Sequence, residues 1–467
     1  MLPSIALADD PTPVPTQTKE QLASRLAELI QKSGLGGSMG AVVLDAWSGA
    51  RLYTLTPETP RNPASNMKLI TAATALVELG PEHRLRTTMA ASIGPDGRVP
   101  ALVLRGEGDP SLAFEDLLAM AQRLVDYGVR EVDEIVVDGS YFDDQILPPA
   151  FEQQPREIAA FRAAVSALSV DRNAFELRVA PGPGIDAPAN VILRCPDHFA
   201  LESAIKTSPS GAPHVIAVQK QRGDELGLRL TGTMPLGVRG AGYERRIESP
   251  LHYAGHCMKS ALRSLHIAGA LRVRIGLPTS TPPVLLTHES APVSSLLQRV
   301  GKSSDNFYAE MLLKVVGAEA SKQPGSSAGG IARAQALLKR AGATGATMVN
   351  GSGLFKGGAV APDTLARLLV FMLREPALRP EYLSQLAVAG VDGTLGSRLS
   401  DLKHPRIVRA KTGTLDDVVA LSGYVAGPGP SRTLAFSFLI NGCAGKQSLA
   451  RSLVDDLVRA MVAYLWS

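Results

Sequence analysis

Cysteine is scarce in this chain, with three residues among 467. A small, odd number of cysteines excludes a fold held together by a dense framework of disulfides. Cys195 and Cys257 could pair in an oxidising compartment, and unpaired buried thiols are an equal alternative. Cys443 then has no partner. The sequence therefore leaves the state of its cysteines open.

Long apolar runs and dense basic runs are also absent. No apolar stretch reaches the roughly 20 residues that a membrane-spanning helix needs. The net charge is only +4, and no cluster of Lys and Arg is dense enough to indicate a nucleic-acid surface. Hydrophobic content of 45% and charged content of 20% are typical of a globular protein. A chain of 467 residues predicts two or three domains.

The amino terminus carries part of an export signal. Residues 1–8 are largely apolar and end in Ala6-Leu7-Ala8, a small-x-small pattern typical of signal-peptidase sites, but a basic segment and a full apolar segment are missing. The proline-rich residues 9–19 predict an unstructured leader. We therefore expect residues 1–19 to be a leader or signal-peptide remnant, and the protein to be exported to the periplasm or another extracytoplasmic location.

The secondary-structure pattern differs between the middle of the chain and its ends. Between about residues 89 and 284, short β-like runs are separated by clusters of Gly, Pro and Asp. Helical runs dominate after residue 285, and residues 447–466 predict a final helix. Strand-like runs near the ends lie at 39–44, 51–55, 418–425 and 433–440. The two ends therefore predict one domain, with inserted material between them.

Ser65 and Lys68 form an S-x-x-K pattern at the start of a helical run. A serine hydroxyl becomes a good nucleophile when a neighbouring base takes its proton, and residues three apart on a helix share a face. The N–H groups at a helix N-terminus also suit a developing oxyanion. A lysine with its ordinary pKa of ~10.4 is protonated near neutrality. We therefore expect burial and a second cation, Lys411, to lower the pKa of Lys68.

Ser304 and Asn306 form an S-x-N pattern between two helical runs, at 293–300 and 307–316. A connection between helices can present both side chains to a cleft. We expect the Ser304 hydroxyl to relay a proton to a leaving amine and the Asn306 amide to hold the substrate backbone. Ordinary turn chemistry is the alternative for both residues.

A third pattern, Lys411-Thr412-Gly413-Thr414, precedes a strand-forming region. Its ammonium and hydroxyl donors suit a carboxylate, such as the C-terminus of a peptide. Gly413 has no side chain, so we expect a substrate backbone to lie close against it. Strand propensity alone is the alternative for Thr412 and Thr414.

In this order and context, the three patterns resemble those of the low-molecular-mass class C penicillin-binding proteins, the D-alanyl-D-alanine carboxypeptidase/endopeptidase family. The resemblance covers nearly everything from about residue 20 to 465. Further segments that resemble the family begin at Gly108, Asp138, Leu230, Gly351 and Asp392. The chain departs from the family pattern at Asn350, where Asp is more usual, and at Phe355-Lys356.

The resemblance implies a mixed α/β (α+β) fold. A penicillin-binding, transpeptidase-like domain, with an antiparallel sheet flanked by helices, would carry two nested, mostly β inserted domains. We expect the catalytic domain at residues 20–88 and 285–467, inserted domain II at 89–170 and 251–284, and nested domain III at 171–250.

The same resemblance implies a serine D,D-carboxypeptidase or endopeptidase that hydrolyses D-alanyl-D-alanine-type bonds in peptidoglycan stem peptides. The reaction would pass through an acyl-enzyme on Ser65, and β-lactam antibiotics would acylate the same serine. No cofactor is implied. By analogy, Asp138 helps to bind the amino end of the peptide stem.

Three alternatives remain open from the sequence. A serine β-lactamase would share the nucleophile, and a catalytically weak scaffold would bind cell-wall polymer without cleaving it. Cys195-x-x-His198 and His252-x-x-x-His256-Cys257 have the spacing of metal ligands, but they lie in the inserted block, away from the catalytic patterns. We therefore expect no metal in the catalytic site.

Overall fold

The computed structural model describes residues 17–429 and 431–467. The predicted signal-peptidase pattern at residues 6–8 and most of the leader lie outside the described residues. Lys19, the last residue of the predicted leader, is the first residue of a helix that Thr18 caps. Within the described ranges, no helix is long and apolar enough to cross a membrane.

Ten α-helices lie in the described part of the chain. They are α1 (Lys19–Ser33), α2 (Met67–Leu79), α3 (Phe114–Asp126), α4 (Pro250–Ser264), α5 (Val293–Gly301), α6 (Asn306–Ser321), α7 (Ser327–Arg340), α8 (Pro362–Arg374), α9 (Arg379–Ser384) and α10 (Gln447–Leu465). The sequence patterns did not predict α1 or α3. Both have a buried apolar face, which is Leu22, Leu26 and Ile30 in α1.

The strands form one large sheet from the chain ends and smaller sheets from the middle. They are β1 (Met39–Asp45), β2 (Arg51–Leu55), β3 (Arg86–Ala90), β4 (Arg98–Gly106), β5 (Glu131–Asp138), β6 (Ala174–Ala180), β7 (Asn190–Leu193), β8 (Phe199–Ser208), β9 (His214–Arg222), β10 (Glu225–Pro235), β11 (Ala241–Arg246), β12 (Arg272–Ile275), β13 (Val284–Glu289), β14 (Ala346–Thr347), β15 (Ala359–Val360), β16 (Ala387–Val388), β17 (Val408–Leu415), β18 (Val418–Ala426) and β19 (Thr433–Asn441).

The large sheet has the order β16-β17-β18-β19-β1-β2, and all its neighbours are antiparallel. Its strands are buried on both faces because alternate residues enter two different cores. Ala435 and Leu439 pack into the core that holds α2 and α8, whereas Phe436 and Phe438 pack into the core that holds α1 and α10. This explains why β18 and β19 are nearly continuous apolar runs. The antiparallel sheet flanked by helices agrees with the predicted fold.

The middle of the chain folds into three further sheets. A five-stranded sheet has the order β12-β5-β4-β3-β13, and two three-stranded sheets have the orders β11-β6-β7 and β8-β10-β9. Helices α3 and α4 pack into the core beneath them. The division of the chain into three domains remains a proposal. Strand β13 pairs with β3, so a boundary between residues 284 and 285 would cut through a strand of this sheet.

The third catalytic pattern lies inside a strand rather than before one. Lys411 pairs with Ser422, and Gly413 pairs with Ala420, in the ladder between β17 and β18. The prediction placed the strand too late because Lys, Thr and Gly carry little of the apolar alternation that marks a half-buried strand.

Cys195 and Cys257 are joined by a disulfide, and Cys443 is a buried free thiol. The bond ties the turn before His198 to helix α4. His198 and His256 also meet, with their Nδ1 atoms 3.1 Å apart. The sulfurs are bonded to each other, so they are unavailable as ligands for the metal site that the spacing suggested. Within the described ranges, no cluster of three or more potential ligands could hold a metal ion.

We expect the double substitution Cys195→Ala/Cys257→Ala to lower the free energy of unfolding by about 2–4 kcal/mol, because the bond restrains the unfolded chain. Denaturant unfolding followed by circular dichroism measures the change. Cys443→Ala is the control, since it removes a buried sulfur without opening a bridge. Equal midpoints for the double variant and the control would contradict the prediction.

Candidate active site

Ser65 lies in a short 3-10 turn, Ala64–Asn66, immediately before helix α2. Ala64 has a φ of 45°, a conformation that costs energy for a residue with a side chain. The turn is held from outside: Asn62 Oδ1 accepts the Ala64 N–H at 2.9 Å, and Asn441 Oδ1 accepts the Asn62 N–H at 2.8 Å. The end of β19 therefore helps to fix the strained turn that presents the predicted nucleophile.

Lys68 lies in the first turn of α2 and contacts the serine directly. Its Nζ lies 2.9 Å from Ser65 Oγ, 2.8 Å from Asn306 Oδ1 and 2.8 Å from the carbonyl oxygen of Ser352. The latter two atoms are acceptors only, so a neutral amine donates its two N–H groups to them. Its lone pair then faces the Ser65 hydroxyl, which is the orientation that a base requires.

The charge state of Lys68 is set by its surroundings. Lys68 is 1% exposed. Burial lowers the pKa of its ammonium group to about 7, against the opposing charges of Glu310 and Asp305. Burial, followed by the charge of Lys68, also holds the pKa of Lys411 well below the usual lysine value. The effect of burial on Lys68 agrees with the expectation, whereas the cation effect falls on Lys411 rather than on Lys68.

Ser304 and Lys411 form the second half of the site. Lys411 Nζ donates hydrogen bonds to Ser304 Oγ at 2.8 Å and to the carbonyl oxygen of Thr412 at 2.9 Å. Ser304 lies in the connection between α5 and α6, and its φ of 59° is again left-handed. Strained backbone of this kind is concentrated at functional sites. No local sequence pattern marked the strain at Ala64 or at Ser304.

Asn306 joins the two halves. It is the first residue of α6, and Asp305 caps that helix by accepting the Tyr308 N–H at 3.3 Å. The Asn306 Oδ1 atom accepts from Lys68, while its Nδ2 donates to the carbonyl oxygen of Phe161 at 3.2 Å. The three sequence patterns therefore meet, as predicted, through two lysine–serine contacts and one bridging amide.

Two glycines allow the serine turn to be packed from both sides. A Cβ atom on Gly413 would lie 2.8 Å from the carbonyl oxygen of Pro63 and 2.9 Å from Asn66 Nδ2. A Cβ atom on Gly353, whose φ is 72°, would lie 1.9 Å from the carbonyl oxygen of Ala64. The sequence interpretation assigned the bare backbone of Gly413 to the substrate, but the structure uses it for the close approach of β17 to the serine turn.

The two threonines of the third pattern have different surroundings, and only Thr414 lines a groove. Thr412 Oγ1 donates to Thr394 Oγ1 at 2.8 Å. Thr414 lines a groove of about 780 Å³, and Phe161 and Lys356 contribute to its walls. The groove therefore lies beside the end of β17, the strand that packs against the serine turn.

Asp138 lies apart from these contacts, at the end of β5. Its Oδ1 accepts the Ser140 N–H at 2.9 Å, and its Oδ2 lies 3.7 Å from Arg105 Nε. The contacts found in the described ranges do not connect it with Ser65 or Lys68. Its assignment to the amino end of a peptide stem stays a prediction without support from these contacts.

Comparison with known proteins agrees with the geometry of the site. A family model described as the D-Ala-D-Ala carboxypeptidase 3 (S13) family matches residues 22–461. The chain belongs to this family. Membership confirms the resemblance found in the sequence and the predicted enzyme class, a serine-type D-Ala-D-Ala carboxypeptidase.

Relatives match along nearly the whole chain. The D-alanyl-D-alanine carboxypeptidase of Actinomadura sp. (strain R39) is 34% identical, over 98% of this chain and 87% of the relative. D-alanyl-D-alanine carboxypeptidase DacB of Haemophilus influenzae is 25% identical, over 89% of this chain and 88% of the relative. The crystal structure of penicillin binding protein 4 from H. influenzae matches with a TM-score of 0.76 at 23% identity, covering 93% of this chain and 99% of that one. The predicted fold class is thereby confirmed.

The sequence patterns missed two groups that touch the site. Ser352 supplies a carbonyl oxygen to Lys68, although its segment attracted attention only as a resemblance to the family. Glu310 lies fully buried beneath that segment. It follows Asn306 by four residues, so the shared helix face was a usable signal.

We expect acylation of the free enzyme to depend on a group with a pKa of about 7, because only the neutral amine of Lys68 can accept the serine proton. The second-order rate constant with a β-lactam should fall about tenfold per pH unit on the acid side and level off above neutrality. Stopped-flow acylation across this pH range measures the profile. An acid limb near the ordinary lysine pKa would rule out Lys68 as the direct base.

Proposed function

We propose that this S13 peptidase cleaves peptides ending in D-alanyl-D-alanine with Ser65 as the nucleophile and Lys68 as its base. The 2.9 Å contact between Lys68 Nζ and Ser65 Oγ carries the proposal, since it joins a hydroxyl to an amine whose pKa burial lowers to about 7. The serine and base are therefore aligned before substrate binds.

In the acylation step, Ser65 Oγ attacks the carbonyl carbon of the penultimate D-alanine while its proton passes to the Lys68 amine. Collapse of the tetrahedral intermediate breaks the amide bond and leaves the acyl group on Ser65. The departing nitrogen must gain a proton. In this proposal it takes the proton that Lys68 accepted, relayed through the Ser304 hydroxyl, which accepts a 2.8 Å hydrogen bond from Lys411 Nζ. D-alanine, or an amino-linked peptide, then leaves.

The free carboxylate of the substrate fits the end of β17. Lys411, Thr412 and Thr414 supply ammonium and hydroxyl donors there, and charge-assisted hydrogen bonds to a carboxylate are stronger than neutral ones. A carboxylate at this position would also stabilise the charged form of Lys411, whose pKa burial depresses in the free site. The substrate carboxylate therefore stabilises the ammonium form of Lys411, which the site without substrate disfavours.

The preceding part of the peptide fits the groove beside Thr414. Its walls include the aromatic ring of Phe161, the cationic Lys356 and Arg451, and the carboxylates of Asp416 and Asp417. Walls of both charges suit a peptide whose side chains end in charged groups. Peptidoglycan stem peptides have this chemistry, and we propose them as the substrate class.

Hydrolysis completes the cycle when water attacks the acyl-enzyme. Lys68 is neutral again at this stage, because the leaving nitrogen has taken up the proton that Lys68 accepted in acylation. Neutral Lys68 then takes a proton from the water, and Ser65 regains one as its ester bond breaks. Ser65 and Lys68 therefore serve both half-reactions. The serine oxygen loses its proton in acylation and regains one in hydrolysis.

Three observations support acylation by β-lactams and a cell-wall location. A β-lactam is bound in a second solved structure of H. influenzae penicillin binding protein 4, which matches this chain with a TM-score of 0.72. A peptidoglycan endopeptidase of Bdellovibrio bacteriovorus matches with a TM-score of 0.51. The Cys195–Cys257 disulfide favours an oxidising, extracytoplasmic compartment.

We expect a fluorescent penicillin to label the wild-type chain on the peptide that contains Ser65. Ser65→Ala should abolish labelling and reduce release of D-alanine from a D-alanyl-D-alanine peptide by at least about a thousandfold. Mass spectrometry of the digested, labelled protein identifies the acylated residue.

Ser264→Ala is the control, because its hydroxyl bonds only the local carbonyl oxygen of Ala261 at the end of α4. Rapid turnover of penicillin without a lasting adduct would favour a β-lactamase. Wild-type protein that binds peptidoglycan but releases no D-alanine would favour a scaffold.

A further inference from the structure

Glu310 is a buried carboxylate on helix α6 that the proposed reaction does not use. Its side chain is 1% exposed. Its Oε2 accepts the Gly351 N–H at 3.0 Å, and its Oε1 accepts the Ser352 N–H at 2.7 Å. Burial raises the pKa of the Glu310 carboxyl, whereas the two backbone donors and the charge of Lys68 favour its ionised form. A buried charge of this kind is costly unless it is well paired, so its position requires an explanation.

The two hydrogen bonds fix the peptide unit between Gly351 and Ser352. Glu310 holds its N–H side, and Thr71 Oγ1 donates to its carbonyl side, the Gly351 oxygen, at 2.7 Å. Asn350 Oδ1 accepts the next N–H, that of Gly353, at 2.9 Å. The segment is thus fastened on several sides, and its close approach to Ala64 leaves it no room to shift towards the serine turn.

The carbonyl oxygen that follows this peptide unit belongs to Ser352, and it accepts from Lys68 Nζ at 2.8 Å. Ser352 O and Asn306 Oδ1 are the two acceptors that direct the N–H groups of a neutral Lys68 amine. If the Ser352 carbonyl turned away, the lone pair of the amine would no longer be directed at Ser65. The position of the base therefore depends on the hold that Glu310 exerts on the segment.

Glu310 also places a negative charge near Lys68. This charge favours the ammonium form of the lysine, against the larger effect of burial. The pKa of Lys68 at about 7 is the balance of burial against the charges of Glu310 and Asp305. A site with the same burial and no carboxylate would hold a neutral amine at lower pH, but a weaker base.

We propose that Glu310 is a positioning residue that acts on Lys68 in two ways, orienting it through the Gly351–Ser352 backbone and setting its charge through its own carboxylate. This inference rests on the proposed function of Ser65 and Lys68. It separates into two measurable parts: the size of the acylation rate reports orientation, and the position of its acid limb on the pH axis reports charge.

The central variant is Glu310→Gln, measured by the pH profile of acylation with a β-lactam. Glutamine has nearly the same shape but only one acceptor oxygen for two N–H donors, so one hydrogen bond is lost. We expect the acylation rate constant at its plateau to fall about a hundredfold. We also expect the acid limb to move down by roughly one pH unit, because the anion that raises the pKa of Lys68 is gone.

Thr71→Val separates the two effects. It removes the hydroxyl that holds the Gly351 carbonyl and leaves the Glu310 charge in place, so the plateau rate should fall while the acid limb stays where it is in the wild type. Glu310→Asp also keeps the charge but shortens the side chain by one carbon, and it should behave like Thr71→Val. Restoration of the wild-type limb in Glu310→Asp would show that the shift in Glu310→Gln came from charge.

Glu319→Gln is the matched control on the same helix, where the carboxylate accepts from the Tyr141 hydroxyl at 2.6 Å, away from the serine. Glu319→Gln should leave the plateau acylation rate and the position of the acid limb unchanged. Thermal unfolding is measured for every variant, and rates are referred to folded protein. If Glu310→Gln does not fold, Thr71→Val and Glu310→Asp decide the orientation effect, and wild-type rates in both would overturn it.

The outcomes separate this inference from the proposed function. If the wild-type enzyme is not acylated at Ser65, the proposed function fails. If it is acylated, and folded Glu310→Gln retains both the wild-type plateau and the wild-type limb, only the role of Glu310 fails. A lower melting temperature with an unchanged pH profile would show a purely structural role and would also overturn the inference.

Discussion

The site depends on a lysine amine that is buried against a serine hydroxyl. In water, lysine is a cation at neutral pH, and a cation cannot take a proton from serine. Removing Lys68 from solvent shifts its pKa to about 7, which makes an ordinary ammonium group into a usable base. Burial is therefore what makes Lys68 a base. The remaining parts of the site keep the pocket closed and direct the amine at Ser65.

A rigid support is needed because the amine must be held within hydrogen-bond reach of the serine. The sheet provides it, since its strands are packed between two cores and leave little freedom for β17 or the end of β19. Gly413 and Gly353 then let backbone approach the serine turn more closely than any side chain would permit. The left-handed conformation at Ala64 persists because these contacts restrain it.

The sequence was sufficient for the fold class and for the residues that meet at the centre. Ser65, Lys68, Ser304 and Lys411 could be found because each lies in a short pattern whose chemistry requires those residue types. Helix α3 was not predicted because its amphipathic face lies within a region rich in turn-forming residues. The position of Lys411 inside a strand was not predicted because its neighbours lack apolar alternation. Positive φ angles and backbone acceptors leave no mark on local composition, so they required the structure.

Two residues from the middle of the chain also contact the site, and no local sequence pattern indicated these contacts. The carbonyl oxygen of Phe161 accepts from Asn306 Nδ2, and Arg172 forms an ion pair with Asp305 at 3.3 Å. Both residues lie in the middle of the chain, yet they contact the S-x-N segment on its exposed side. That segment includes a strained serine and begins helix α6, which also carries Glu310. Changes at Phe161 or Arg172 can therefore reach Lys68 through the start of one helix, without any contact to the nucleophile itself.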